Sequence, residues 1–171
     1  CIRDRINTVP LPESIAPTEK QPDGQVLCGQ VHDPLARILN GGISGNAGVF
    51  SCAEDIAILC AALQNGGEWN GHRILSPQGV KTMRTVPRAT ADLGRSPGWD
   101  VCSPYASNAG DFFGPNTYGH TGYTGTSVVI DPDNDTSVIL LTNAVHPEDG
   151  HSVVRLRSLV ANAVASSLYP A

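Results

Sequence analysis

The sequence predicts an α+β fold in which an antiparallel sheet packs against helices. Three observations lead to this prediction. Two helical patterns come first, at 50–64 and 76–83, and two strand patterns joined by a turn follow at 121–143. An amphipathic helical pattern then fills 151–168. Helices followed by a hairpin, without strict alternation of strands and helices, favour antiparallel pairing.

The first 48 residues are predicted to form an extended, loop-rich segment, and residues 49–171 to form one domain or part of a domain. Prolines at positions 10, 12, 17, 22 and 34 exclude a long helix from the first segment, and Gly41-Gly42 punctuates its end. A loop of this length is unusual inside a compact domain. The segment is therefore expected either to be functional or to wrap another part of the protein.

The clearest helix spans Phe50 to Gln64. Ser51 is the predicted N-cap, and Glu54 three residues later completes a capping-box pattern. Gly66-Gly67 then ends the helix. The apolar residues expected on one helix face are Ile56, Leu59, Cys60 and Leu63.

A second, shorter helix opens at Ser76-Pro77 and runs to Met83, with proline at its first position. Residues 84–116 are predicted to be mostly loop, with a possible strand around Trp99 to Cys102.

The hairpin is predicted from Thr121 to Asn143. Thr121 to Asp131 is rich in threonine and valine, residues 132–135 form a turn, and Thr136 to Asn143 is an apolar strand. Two or three strands do not easily bury a sheet face, so further strands are expected from a preceding segment or another chain. The apolar face of the last helix is predicted to contain Val154, Leu156, Leu159, Val160, Ala163 and Val164.

Composition narrows the classes of partner. The net charge is −5, and no block of like charges indicates a nucleic-acid or anionic-membrane partner. No apolar run approaches the roughly 18 residues that span a bilayer. Five cysteines leave at least one thiol outside any intrachain pair, and Cys52 and Cys60 lie too far apart on one helix to bridge. No cofactor is expected, and the cellular compartment stays open: secreted, periplasmic or cytoplasmic.

The most informative stretch runs from Gly119 to Thr126, Gly-His-Thr-Gly-Tyr-Thr-Gly-Thr. Three glycines and three threonines are poor packing residues for a strand, but glycine admits another backbone or a ligand. Threonine hydroxyls and strand N–H groups then face that ligand and suit a carbonyl or carboxylate. A glycine-rich entry into a hairpin explains the composition equally well without any ligand.

These residues resemble a family of serine hydrolases. His120-Thr121-Gly122 looks like the Lys/His-Thr-Gly element of β-lactamase-like enzymes, which include class C β-lactamases, penicillin-binding proteins and related esterases. The resemblance covers roughly residues 25 to 165 and implies a partial β-lactamase/transpeptidase-like fold, its C-terminal portion. Further stretches match in the same order, namely His32-Asp33-Pro34, Gly41 to Ser51 with Ala53-Glu54-Asp55, Leu75-Ser76-Pro77, Gly98-Trp99-Asp100, Leu141-Thr142-Asn143 and His146-Pro147.

The resemblance implies acyl transfer from an ester, amide or β-lactam. By match, the backbone N–H of Tyr123 is one oxyanion donor and His120 is a polar or cationic wall of the cleft. The implied substrate contacts are Thr121, Gly122, Thr124, His32 and Trp99.

The chain departs from the family pattern at the nucleophile. No serine here has lysine three residues later, and no Tyr-x-Asn element occurs. One hypothesis is therefore a serine hydrolase completed by a missing N-terminal portion or a second chain, acting on a small-molecule acyl substrate. The alternative is a non-catalytic binding module that uses the same cleft wall.

Other residue patterns have plainer explanations. His146 to His151 contains proline and glycine, which favour a solvated loop over a metal site, with Asp149 expected to cap the last helix. Asp131, Asp133 and Asp135 resemble the start of a calcium loop, but threonine occupies the positions that need glycine and glutamate. No metal site is expected. A turn before Pro34 explains His32-Asp33 as well as a substrate contact does, and Trp99 also fits core packing.

Overall fold

The computed structural model describes residues 15–101, 103–104 and 106–168 and shows helices packed with an antiparallel sheet. The predicted α+β class is confirmed. The helices are α1 (Ala53–Gln64), α2 (Pro77–Met83) and α3 (Val154–Leu168). Single helical turns of π or 3-10 type occupy Leu35–Leu39, Arg88–Leu93 and Ala106–Ala109.

The main sheet has five strands, each paired with its neighbours in chain order. They are β3 (Arg95–Ser96), β4 (Trp99–Asp100), β5 (Tyr118–Thr121), β6 (Thr126–Asp131) and β7 (Thr136–Leu141). A separate two-stranded hairpin pairs β1 (Glu68–Trp69) with β2 (His72–Arg73). All pairings are antiparallel.

The hairpin prediction is correct for β6 and β7, whose register runs from Asp131 opposite Thr136 to Thr126 opposite Leu141. The single strand predicted over Thr121 to Asp131 is wrong. The chain reverses at Gly122–Gly125, and Thr121 faces Ser127 across this reversal. The sheet therefore gains β5, together with the short strands β3 and β4, where only a possible strand at 99–102 was predicted. Cys102 lies outside the described residues.

The boundaries of α1 differ from the prediction at the N-terminus. The N-cap is Cys52, and no side chain caps the helix, so the Ser51–Glu54 capping box does not form. Glu54 is fully exposed, and the hydrogen bond from its own backbone N–H lowers the pKa of its carboxyl. The other end agrees, because Asn65 ends the helix before Gly66 and Gly67, both with positive φ. The α2 prediction is confirmed, since the Ser76 side chain accepts from the Gly79 N–H at 3.0 Å.

The core lies between α1, α2 and one face of the sheet. Buried residues from all three meet there: Cys60 and Leu63, Val80, and Tyr118 and Ile130. Tyr118 and Ile130 are direct partners in the register of β5 and β6. Because side chains alternate along strands, His120 shares the face of Tyr118, whereas Gly119 and Thr121 face the other way.

The buried face of α3 is not the predicted one. Arg157, Ala161 and Ala165 are buried, and they recur every four residues along one side of the helix. Leu156 and Leu159, expected in the core, are 43% and 55% exposed. The helix therefore packs through small residues around one arginine and leaves Val154, Leu156 and Leu159 exposed, while Val160 and Val164 are half-buried.

Candidate active-site wall

The His120-Thr121-Gly122 stretch ends β5 and begins the turn into β6. On one side β5 pairs with β6 through Thr121. On the other side the pairing of β4 with β5 is limited, within the described residues, to Asp100 opposite Gly119. Beyond Gly119, no strand covers this second edge within the part of the chain that the structure describes. Backbone groups at such an edge are available to another extended segment or a ligand.

Two glycines allow the turn to pack tightly. A Cβ on Gly125 would lie 2.7 Å from the Ala144 backbone nitrogen, and its φ of +117° also disfavours other residues. A Cβ on Gly122 would overlap the Thr126 hydroxyl. The glycines of this motif therefore serve close packing inside the chain.

The segment that follows β7 fastens the far side of this turn. The Thr142 hydroxyl donates to the Gly125 carbonyl at 2.6 Å, and the Ala144 N–H donates to the Thr124 carbonyl at 2.8 Å. Across the turn itself, the Gly122 N–H donates to the Thr126 carbonyl at 2.7 Å. The structure thus brings the Leu141-Thr142-Asn143 stretch against the His120 motif.

The backbone N–H of Tyr123 points to no acceptor among residues 15–101, 103–104 and 106–168. Its neighbours in the turn, Gly122 and Gly125, both donate to backbone carbonyls. A turn N–H that is held in place yet unpaired suits an external acceptor.

The Tyr123 side chain is 73% exposed and is held by two other segments. Its hydroxyl donates to Asp149 Oδ2 at 2.5 Å. Its ring stacks on the His32 ring, with centroids 5.8 Å apart and an interplanar angle of 24°. The hydrogen bond to Asp149 raises the pKa of the phenol, and the same bond lowers the pKa of the Asp149 carboxyl.

His120 is exposed, and its Nδ1 lies 2.9 Å from the Thr121 carbonyl oxygen. Because a carbonyl only accepts, a hydrogen bond in this geometry places a proton on Nδ1. The hydroxyl of Thr121 has no hydrogen-bond partner among the described residues. Both residues line a small pocket beside β5, together with Asp100, Asn108 and Ser127.

Trp99 lies apart from the turn. Its ring meets Tyr118 edge-on at 5.2 Å, and it packs against the core cluster. The structure therefore brings His32, Tyr123 and the motif residues together, whereas it places Trp99 in contact with the core. Its role as a substrate contact stays a prediction, as do the other assigned roles.

Two residues around the turn were not assigned to it from the sequence. Asp149, predicted to cap α3, instead bonds Tyr123 and the Gly150 N–H, and α3 begins five residues later at Val154. Arg157 donates to the carbonyls of Gly122 and Thr126. In sequence Arg157 looks like one charge on a polar face, and only its spacing from Ala161 and Ala165 distinguishes it.

A search of the described residues finds no group of three histidine, cysteine or acidic side chains that could hold a metal ion. Over the same residues, no helix is long and apolar enough to cross a membrane. Cys52 and Cys60 are both free thiols, in agreement with their predicted separation.

Comparison with known proteins decides the family. The model of the beta-lactamase family matches residues 9–162. The chain belongs to the beta-lactamase family. This agrees with the resemblance carried by the His120 motif and its ordered companions.

Curated relatives of this beta-lactamase-family chain are named "Putative D-alanyl-D-alanine carboxypeptidase". One from Escherichia coli is 40% identical over 122 residues, which are 70% of this chain and 28% of the relative. One from Salmonella agona is 38% identical over 147 residues, or 84% of this chain and 33% of the relative. The chain thus spans about a third of the length of these relatives.

Proposed function

We propose that this chain forms one wall of the active site of a serine hydrolase that transfers or hydrolyses an acyl group. The Tyr123 N–H serves as one oxyanion donor, and His120 serves as the polar side of the cleft. Thr121, Gly122, Thr124, His32 and Trp99 contact the substrate. The observation that carries the proposal is the N–H of Tyr123, which has no acceptor among the residues that the structure describes and is held in a fastened turn at a strand edge that no described strand covers.

The nucleophile lies outside these residues, in an N-terminal portion or a second chain. No serine of the sequence is followed by lysine at the third position. In this proposal the serine hydroxyl of a Ser-x-x-Lys element attacks the carbonyl while the lysine of that element takes the hydroxyl proton, and the developing oxyanion accepts a hydrogen bond from the Tyr123 N–H. The tetrahedral intermediate then collapses, the bond to the leaving group breaks, and the leaving group departs with the proton, which leaves the acyl-serine. The matched segments make up only 28% and 33% of the relatives' lengths, so most of each relative lies outside the match and leaves room for such an element.

The same geometry favours one broad class of substrate. An open strand edge with a threonine hydroxyl suits an extended acyl substrate with a carbonyl or carboxylate. The candidate substrates are esters, amides and β-lactams. The names of the relatives favour testing a peptide that ends in D-alanyl-D-alanine as well.

The test is covalent labelling of the assembled protein with a fluorescent penicillin and a fluorophosphonate. We expect one serine outside residues 1–171 to be acylated by the penicillin, whose β-lactam ring opens, and phosphonylated by the fluorophosphonate, which loses fluoride, and peptide mass spectrometry locates it. Thr121→Val should slow acylation, whereas the matched control Thr82→Val should not, because the exposed Thr82 hydroxyl bonds only within α2. Absence of any labelled serine in the assembled protein would contradict the proposal.

One observation favours the alternative of a non-catalytic binding module, namely the absence of Ser-x-x-Lys from the sequence itself. That module would bind a peptide or cell-wall fragment at the same strand edge without acylation. Saturable binding of the D-alanyl-D-alanine peptide that Thr121→Val weakens, with no covalent label on any serine, would support it.

A further inference from the structure

The buried guanidinium of Arg157 is bonded to the turn that carries Tyr123. The side chain rises from α3, and the residue is 8% exposed. Its Nη2 donates to the Gly122 carbonyl at 2.8 Å and to the Thr126 carbonyl at 3.0 Å. Its Nη1 donates to the Asn108 side-chain oxygen at 3.3 Å. The Arg157 guanidinium therefore connects the two ends of the turn, at Gly122 and Thr126.

The Gly122 carbonyl and the Tyr123 N–H belong to the same peptide group. In a planar trans peptide these two bonds point in opposite directions. The guanidinium therefore lies on the carbonyl side of this peptide group, and the Tyr123 N–H points away from it. Any rotation of this peptide that redirects the N–H breaks the bond to Arg157.

A charged donor also changes the peptide electronically. Hydrogen bonds from an ionised donor are about twice as strong as neutral ones. A bond of this kind at the carbonyl polarises the amide, which strengthens the donation by its N–H, and the low dielectric of a buried site increases the effect. Among the described residues, the guanidinium has three acceptors, all neutral oxygens, and none of the carboxylates there bonds to it.

We propose that Arg157 is a positioning residue that orients and polarises the Gly122–Tyr123 peptide as an oxyanion donor. This inference rests on the proposed function. It predicts that Arg157 acts on the transition state and leaves substrate binding in the ground state nearly unchanged.

The experiment compares Arg157→Met and Arg157→Lys in the assembled protein, with Arg155→Met as the matched control. Arg155 is exposed on the same helix, so Arg155→Met removes the same charge. No hydrogen bond joins Arg155 to the turn among the described residues. We expect Arg157→Met to lower kcat on the order of 10- to 100-fold with KM within about twofold, less than the loss of a whole oxyanion donor. Arg157→Lys keeps a charged donor and should recover part of kcat.

A second readout does not depend on turnover. With [15N]tyrosine labelling, the Tyr123 amide is assigned by its disappearance in Tyr123→Phe. Loss of the charged bond at the preceding carbonyl should move this amide nitrogen upfield in Arg157→Met, but not in Arg155→Met. If Arg157→Met does not fold, Arg157→Lys carries both measurements, with a smaller change in the same direction.

The outcomes separate the two proposals. If no probe labels the wild-type protein, yet Arg157→Met shifts the Tyr123 amide nitrogen, the proposed function is overturned and the link from Arg157 to the peptide stands. A wild-type protein that turns over, with unchanged kcat and unchanged Tyr123 amide in both Arg157 variants, overturns the role of Arg157. A fall in affinity for substrate with kcat unchanged also overturns it.

Discussion

Glycine is required at single positions in β5 and in the turn into β6, because a larger side chain there would overlap neighbouring atoms. Gly119 in β5 has ordinary backbone geometry, yet a Cβ there would meet the Val128 carbonyl oxygen of β6. The approach of the two backbones thus depends on glycine at this position. Because Gly119 precedes His120, the same contact sets the position of the motif.

We predict that Gly119→Ala destabilises the fold. Overpacking in a tight site typically costs about 1–3 kcal/mol in the free energy of unfolding, and the carbonyl of a paired strand moves less easily than a side chain. Denaturant unfolding measures the change. Gly45→Ala is the control, since nothing lies within 4 Å of a Cβ there and its φ is not positive. Equal free energies of unfolding in the two variants would contradict the prediction, because β5 and β6 would then accommodate the added Cβ without loss of stability.

The hydrogen bond between Tyr123 and Asp149 predicts a dependence on pH at both extremes. The Asp149 pKa is lowered from 3.8 by bonds from the Tyr123 hydroxyl and the Gly150 N–H. Its contribution to stability is therefore present above the unfolded pKa and is lost as pH falls through the lowered folded value. The Tyr123 pKa is raised from 10.0, so its contribution is present below that value and is lost as pH rises through the raised one.

We expect Asp149→Ala to lower the pKa of the Tyr123 phenol toward 10.0, because the accepting carboxylate and its negative charge are both removed. Ultraviolet titration of phenolate absorbance measures it, with Tyr123→Phe identifying the component. Asp92→Asn, at an exposed position, is the control and should leave the titration unchanged. An unshifted Tyr123 titration in Asp149→Ala would mean that the two side chains do not bond in solution.

At the scale of elements, α3 shows where periodicity predicts a helix correctly and its buried face wrongly. Hydrophobic spacing selected the stripe containing Leu156 and Leu159, because burial usually follows apolar side chains. The structure buries the stripe of Arg157, Ala161 and Ala165, where small residues allow close approach and the arginine finds carbonyl acceptors. Sequence alone does not reveal that a charge will be satisfied by a turn 31 to 35 residues away.

Leu156 and Leu159 form an exposed apolar surface of α3, called here the outward stripe. We predict that this stripe contacts the proposed N-terminal portion. We expect Leu156→Glu to change the stability of the chain by no more than about 0.5 kcal/mol, since the residue is 43% exposed. Its association with the separately expressed N-terminal portion should weaken markedly, because a carboxylate is buried in an apolar contact. Sedimentation or calorimetric titration measures the association.

Ser166→Glu is the control on the same helix, since it adds the same charge at an exposed polar position. If Leu156→Glu associates as tightly as Ser166→Glu, the outward stripe of α3 is not the contact.

For the whole molecule, the sequence was sufficient for the parts set by local patterns. The α+β class, the C-terminal end of α1, the bounds of α2 and the β6–β7 hairpin follow from periodicity, caps and a turn. Three features depend on distant contacts instead. The bond that fastens the reversal at Gly125 to Thr142, the stacking of His32 on Tyr123 and the bonds from Arg157 each join segments far apart in sequence. No local pattern at any one of these residues indicates its partner.

The surface of the whole chain leads to a last prediction. Large apolar side chains are exposed in several places, among them Leu35, Ile38 and Leu39 at 61%, 70% and 74%, besides the α3 stripe. Leu35, Ile38 and Leu39 lie within one short helix, and exposed apolar side chains clustered in this way are typical of an interface. We expect the melting temperature of the chain to rise with the concentration of added N-terminal portion, by the equivalent of about 2.7 kcal/mol at a hundredfold excess over Kd.

Calorimetry across a concentration series measures this rise, and Leu156→Glu should reduce it. A melting temperature that depends on the concentration of the 171-residue chain itself, and not on the added portion, would contradict the prediction. It would mean that the apolar surfaces bind a second copy, because only a species that binds the native state shifts the unfolding equilibrium. The active-site wall would then require its nucleophile from a partner that does not cover these surfaces.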